Sequence, residues 1–216
     1  MRELLDYLKK EIGKFISEVK VESVRIGLAY TAVVLSSRHA GVAYTPTNEL
    51  PECTVLADAG KIAGRSALDV MNKVEYPNLV ETAVGVATIN ALSQAAFEAK
   101  PEKYVFSDIE VLDLIQPKDK VVTVGYFGPL VHKILRKTQD LHVLEKRNIK
   151  DKRVHVIPQQ DAPTVLPSSN VLLISGSTIV NKTVNQILEM QGNAMEVVLL
   201  GLTASIVPHP LYLRRV

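Results

Sequence analysis

Between Lys120 and Val131 an apolar run, Val121-Val122-Thr123-Val124, leads straight into Gly125-Tyr126-Phe127-Gly128-Pro129. Gly125 and Gly128 permit a tight turn, Pro129 suits a first helical position, and the amides of Leu130 and Val131 then lack partners inside the helix. The segment reads as a strand, a glycine turn and a helix start that attracts anions. Glu145 stands twenty residues beyond Gly125, at the end of the next apolar run, where dinucleotide-binding folds set a carboxylate against a ribose diol. Its plain alternative is a surface glutamate paired with Lys146 or Arg147. The turn is GxxG rather than GxGxxG, so it is an incomplete dinucleotide fingerprint.

A second polar cluster, Ser175-Gly176-Ser177-Thr178, follows a later apolar run and precedes a helix that Asn181 is placed to cap. With Gly201 and Thr203 after the last run, these residues are the ligand contacts expected at strand ends. Asn90 sits inside an alanine-rich helical stretch and must find hydrogen-bond partners if buried, in the structure or in a substrate. Asp161 follows the third run, where it either reaches a ligand or caps a turn. No GxSxG elbow occurs and no histidine has a defined partner, so an activated serine is not expected. His132, His142 and His155 read as core or surface residues. A direct metal site would need hard ligands such as Asp161, Glu145 and Asn90 to converge, because Cys53 is the lone cysteine and the five histidines are scattered.

These residues need a sheet to position them. Val121–Val124, Leu141–Leu144, Val154–Ile157, Val171–Ile174 and Val197–Leu200 are apolar without alternation, the pattern of parallel strands covered on both faces, whose carboxyl ends border the ligand crevice. Too few residues separate Leu144 from Val154 for a crossover helix, and Pro163 and Pro167 interrupt the next connection, so the sheet is expected to depart from the regular doubly wound plan. The first half differs. Residues 2 to 19 carry Leu4, Leu5, Leu8, Ile12, Phe15, Ile16 and Val19 at helical spacing. Val24 to Val34 alternate and pair with Gly41–Thr45 as a hairpin. Ser66 could cap a short helix with Asp69. An alanine-rich helix from Asn78 to about Lys100 is expected between the two halves. The fold class is therefore α/β, in two domains: a small α+β domain over residues 1–105 and a mainly parallel sheet with flanking helices over 106–216.

With 216 residues, 47% hydrophobic and 22% charged, the composition is that of a globular protein, and a net charge of +2 with interleaved signs gives no basis for nucleic-acid capture. The longest apolar stretch, Val197 to Val207, is too short to span a bilayer, and the amino terminus lacks a signal peptide's apolar core. No membrane partner and a cytoplasmic location are expected, and the amphipathic first helix suits a homodimer.

With these residues placed, the chain resembles the family described as "putative heavy-metal chelation", which joins an enolase-amino-terminal-like domain to a Rossmann-like domain. The resemblance is carried by Ile26–Val33, Gly41–Pro46, Gly60–Arg65 and Ile89–Leu92, then by Val124–Gly128, Val143–Glu145, Val171–Thr178 with Asn181, and Gly201–Ala204. It implies a site in the cleft between the domains and names no reaction. The family's second domain usually continues past the segment resembling Gly201–Pro210, so a truncation at Arg214-Arg215-Val216 is expected. Three functions compete: an enzyme or cofactor-dependent protein that binds a nucleotide or adenosyl-type small molecule at Gly125, Tyr126, Phe127, Gly128 and Glu145, with a second substrate from the amino-terminal domain; a module that holds a metabolite or metal chelate unchanged; and a purely structural subunit. The enolase-like part resembles a capping domain, so no enolase chemistry is implied.

Overall fold

The computed structural model describes residues 2–51 and 54–208. Cys53, His209 and the final Arg214-Arg215-Val216 lie outside the described residues, as do the side chains of Leu4, Phe15 and Ile16. The chain divides into two compact units. One takes in the described residues of Met1–Val105, Ile179–Asn181 and Gly201–Val216, the other Phe106–Thr178 and Lys182–Leu200. Among the described residues no helix is long and apolar enough to cross a membrane.

In the first unit, helix α1 (Arg2–Ile16) buries Leu5, Leu8 and Ile12, the expected three- and four-residue spacing. Strands β1 (Val21–Ile26), β2 (Tyr30–Leu35) and β3 (Ala40–Tyr44) form an antiparallel sheet in that order. The alternation from Val24 to Val34 therefore belongs to two strands. The Gly27 amide donates to the Tyr30 carbonyl at 2.9 Å, closing a turn that leaves Leu28 89% exposed. Beyond that turn the inward set is Thr31, Val33 and Leu35, the opposite parity to the one the apolar residues trace.

The short helix α2 (Ala67–Val70) follows Ser66, whose side chain makes no cap bond; its carbonyl accepts from the Asp69 and Val70 amides instead. Helix α3 (Leu79–Ala99) begins where Asn78 Oδ1 accepts from the Val80 amide at 2.9 Å. It is buried on nearly every side, because small residues let backbone meet backbone. A Cβ added to Gly41 of β3 would lie 2.2 Å from the Ala87 carbonyl oxygen, and one on Gly85 would lie 2.3 Å from the Val74 amide.

The second unit is a five-stranded, all-parallel sheet of β4 (Val121–Val124), β5 (Leu141–Leu144), β6 (His155–Ile157), β7 (Val171–Ser175) and β8 (Glu196–Leu200), ordered β6-β5-β4-β7-β8. That is the doubly wound order, with its switch point between β4 and β7. The departure expected from the sequence is seen in both connections it named: β5 reaches β6 through residues 145–154 without a helix, and β6 reaches β7 with only one α-helical turn, Ala162–Val165, between two 3-10 turns. Helices α4 (Gly128–Ile134), α5 (Ala162–Val165), α6 (Ser177–Val180) and α7 (Val184–Glu189) complete the connections. Val131 and Ile134 of α4 pack with Val121, Leu141, Val143, Val171 and Leu173 from the sheet, and Ile115 closes the cluster.

Candidate functional site

Strands β4 and β7 end side by side, so the Gly125 turn and the Ser175–Thr178 segment meet at the switch point. Gly125 has φ +105, a region open to glycine, and its amide donates to the Leu144 carbonyl at 2.8 Å. A Cβ there would stand 2.9 Å from that of Ser175. Gly128 is tight for a different reason: its Cβ position is 3.2 Å from Cε1 of the Tyr126 ring, which folds over the start of α4. The two glycines thus make room for Ser175 and Tyr126, neighbours within the protein. The amides of Leu130 and Val131, expected to be open to an anion, both donate to the Phe127 carbonyl. Phe127 serves as the residue before the helix.

Glu145 follows β5 and turns its carboxylate onto this turn. Oε2 accepts from the Tyr126 amide at 3.1 Å and from Arg147 Nη2 at 3.1 Å, and Oε1 accepts from the Arg147 amide at 3.0 Å. Burial, the strongest single influence, pushes the carboxyl pKa up, but the Arg147 side chain and the two amides outweigh it and hold the group below the usual carboxylate range. Glu145 is therefore an ionised acceptor beside the switch point. It is both paired with Arg147, as the plain alternative required, and aimed at the glycine turn.

The residues after Glu145 form a second layer. The Tyr126 hydroxyl donates to Asp151 Oδ2 at 2.9 Å, and Arg153 grips the same carboxylate through Nε at 2.7 Å and Nη2 at 2.6 Å. Arg153 Nη1 also lies 2.6 Å from His132 Nε2 on α4. The Arg153 hydrogen bonds keep the Asp151 carboxyl well below its ordinary range, and the bond to Asp151 raises the Tyr126 phenol. From sequence this basic stretch reads as a solvated loop. Asp151 and Arg153 are legible there only through the Asp-Lys-Arg run, a weak signal, and His132, on α4, reads from sequence as core or surface.

The hydroxyls of Ser175 and Ser177 hydrogen-bond each other at 2.9 Å, and Thr178 Oγ1 donates to the Ser175 carbonyl at 2.7 Å. Gly176 donates its amide to the Leu200 carbonyl, tying the segment to β8. Asn181 is not the cap of α7, since Thr183 occupies that position. Asp161 lies in the turn 159–161 after the edge strand β6, two strands from β4, and makes no side-chain cap.

Three candidates group with the first unit. Asn90 is fully buried and donates through Nδ2 to the Val42 carbonyl at 2.7 Å and the Thr203 carbonyl at 3.1 Å. Thr203 in turn accepts the Tyr44 amide on its hydroxyl at 2.9 Å. Gly201, with φ +95, starts the turn Leu202–Ala204 that these bonds fasten to β3 and α3. Asn90 and Thr203 thus come together as a clamp, while Gly125, Tyr126, Gly128, Glu145 and Ser175 come together at the switch point. Among the described residues no group of three or more His, Cys, Asp or Glu side chains is arranged to hold a metal ion, so the convergence that a direct site through Glu145 and Asp161 requires is not seen there.

The chain is similar to proteins whose roles are also open. An uncharacterized protein of Methanocaldococcus jannaschii is 24% identical over 216 residues, covering 95% of this chain and 80% of the relative. A crystal structure of a protein of unknown function from Pyrococcus horikoshii superposes with a TM-score of 0.78 at 29% identity, covering 96% of this chain and 82% of that one. Another from Desulfitobacterium hafniense gives 0.78 at 21% identity, covering 98% and 83%, and shares the fold. Residues 8–93 and residues 108–216 each match a family described as "Putative heavy-metal chelation". The chain belongs to that family.

Proposed function

We propose that the carboxyl edge of the parallel sheet binds a small nucleotide-like or adenosyl-type molecule, with Glu145 accepting hydrogen bonds from its ribose diol. The observation that carries this is the placement of an ionised carboxylate at the end of β5, bonded to the amide of the β4 turn beside the switch point of a sheet in doubly wound order. Oε1 accepts one amide in the folded chain, and displacement of the Arg147 guanidinium by a ligand would leave Oε2 an acceptor as well. A binding role without a covalent step also has support. The Ser175 and Ser177 hydroxyls bond each other, and among the described residues no imidazole is bonded to either. If metal is part of the cargo, the donor set favours an ion that arrives within an organic chelate.

Calorimetric titration with adenosine nucleotides, adenosylmethionine and NAD tests the proposal, alongside the variant Glu145→Gln. The expected result is a ligand whose affinity falls by about 1.5–3 kcal/mol in the folded variant, the range for a lost bond to a charged group. Equal affinity in both proteins would remove Glu145 from the site, and no binding by any of these compounds would overturn the nucleotide reading.

A further inference from the structure

We infer that the ligand of the carboxyl edge is a nucleoside whose 5′ carbon carries a thioether or sulfonium group, and that the glycine turn after β4 excludes a 5′-phosphate; this rests on Glu145 accepting the ribose diol. A turn that binds phosphate offers converging backbone amides, the room left by a missing side chain, and the start of a helix. Here the amides are already spent. Gly125 donates to the Leu144 carbonyl at 2.8 Å, and Tyr126 donates to Glu145 Oε2 at 3.1 Å. In α4, only seven residues long, Pro129 has no N–H, and Leu130 and Val131 both donate to the Phe127 carbonyl. On the β7 side Gly176 donates to the Leu200 carbonyl at 2.8 Å and Ser177 to Ser175 Oγ at 3.3 Å.

The second observation is what fills the turn. The Cβ position of Gly128 lies 3.2 Å from Cε1 of Tyr126, so the ring takes the room that a phosphate would need. The hydroxyl pins that ring, because it donates to Asp151 Oδ2 at 2.9 Å and Arg153 holds the same carboxylate through Nε at 2.7 Å and Nη2 at 2.6 Å. Tyr126 is thus held between two carboxylates, Glu145 at its amide and Asp151 at its hydroxyl, and a phosphate entering there meets like charge. Arg147 and Arg153 are engaged with those same carboxylates, which leaves each pair close to neutral. A thioether or sulfonium group brings no negative charge to the turn. It meets an aromatic ring, against which a cation is attracted and a thioether sulfur packs favourably.

Calorimetric titration of the full chain with adenosylmethionine, adenosylhomocysteine, AMP and NAD tests the assignment. The two phosphate-free compounds should bind more tightly than AMP or NAD by about tenfold or more, since like charges set side by side are strongly disfavoured. Tyr126→Ala clears the ring from Gly128 and should erase most of that preference. Should this variant fail to fold, the wild-type series decides alone. AMP or NAD binding as tightly as adenosylhomocysteine, or a folded Tyr126→Ala that keeps the wild-type ratio, overturns the inference while leaving Glu145 on the ribose. No binding by any of the four compounds removes the ribose reading itself, and the 5′ class with it.

Discussion

Replacing Asn90 tests whether the amide is a clamp or a ligand contact. In Asn90→Ala the carbonyls of Val42 and Thr203 lose a buried donor, and a small cavity opens in α3. Each stranded acceptor costs about 1–3 kcal/mol, but Asn90 Oδ1 is itself buried without a partner, and its removal relieves part of that loss. A net destabilisation of about 2–4 kcal/mol follows, which in a chain of this size lowers Tm by roughly 5–15 °C. Urea unfolding should show the midpoint falling at constant slope. Asn90→Asp keeps the shape and turns the donor into a second acceptor facing two carbonyl oxygens, so it should be worse than alanine. Thr203→Ala removes the acceptor of the Tyr44 amide from the same turn, and its effect should couple to that of Asn90→Ala by about 0.5 kcal/mol or more. Aspartate milder than alanine, or strict additivity of the pair, would refute the clamp.

Two further outcomes follow from buried charge and backbone geometry. Lys73, with a side chain only 4% exposed, holds Asp58 and Glu81 at 2.8 Å each, so Lys73→Met should cost about 3 kcal/mol, chiefly by stranding Glu81, since Asp58 keeps Arg65 Nη1 at 2.8 Å. Burial pulls the Lys73 ammonium down and raises the Asp58 carboxyl, and in each case the pairing outweighs it, leaving Lys73 above its ordinary value and Asp58 below. The lysine's contribution is thus full below the usual lysine pKa and lost as pH rises through the raised value. The aspartate's is full above the usual carboxylate range and lost as pH falls through the lowered value. The stability gap between wild type and variant, followed by thermal melts, should narrow in acid. Gly125→Ala should cost about 2–4 kcal/mol, part from φ +105 and part from a methyl 2.9 Å from Ser175 Cβ. Adding Ser175→Gly should recover only the second part, and full recovery in a melt would show that the backbone conformation is unstrained.

Much of the parallel sheet was legible, because unbroken runs such as Val171–Ile174 have a single explanation in a strand covered on both faces. The helix from Asn78 was legible for a comparable reason, an Asn cap followed by small residues up to Pro101. The hairpin was legible as an antiparallel pair, which β2 and β3 form, but its inward face was not. Its apolar parity is set by exposed Ile26, Leu28 and Tyr30, and only the Gly27 turn reveals that the inward face changes. At the site, Glu145 could be located by offset from Gly125, since strand length and turn geometry fix where a carboxylate emerges. The occupants of the glycine turn could not, because nothing in GxxG tells whether a ligand or the protein's own Tyr126 and Ser175 fill the space. Asn90 was recognisable as needing partners, yet its acceptors at Val42 and Thr203 are separated from it by 48 and 113 residues, beyond the reach of local pattern.

That last separation bears on how the protein is made. The turn Leu202–Ala204 that receives Asn90 belongs to the first unit, although the whole of the second unit is synthesised before it. On the ribosome, β3 and α3 emerge and can begin to pack about a hundred residues before their closing turn exists, and the second unit's sheet has time to fold meanwhile, at ordinary rates of synthesis. The first unit is then the earlier to start and the later to finish. Its final step is a long-range closure of the kind that slows folding, leaving the Asn90 amide and the Tyr44 edge of β3 open in the nascent chain until that step is complete.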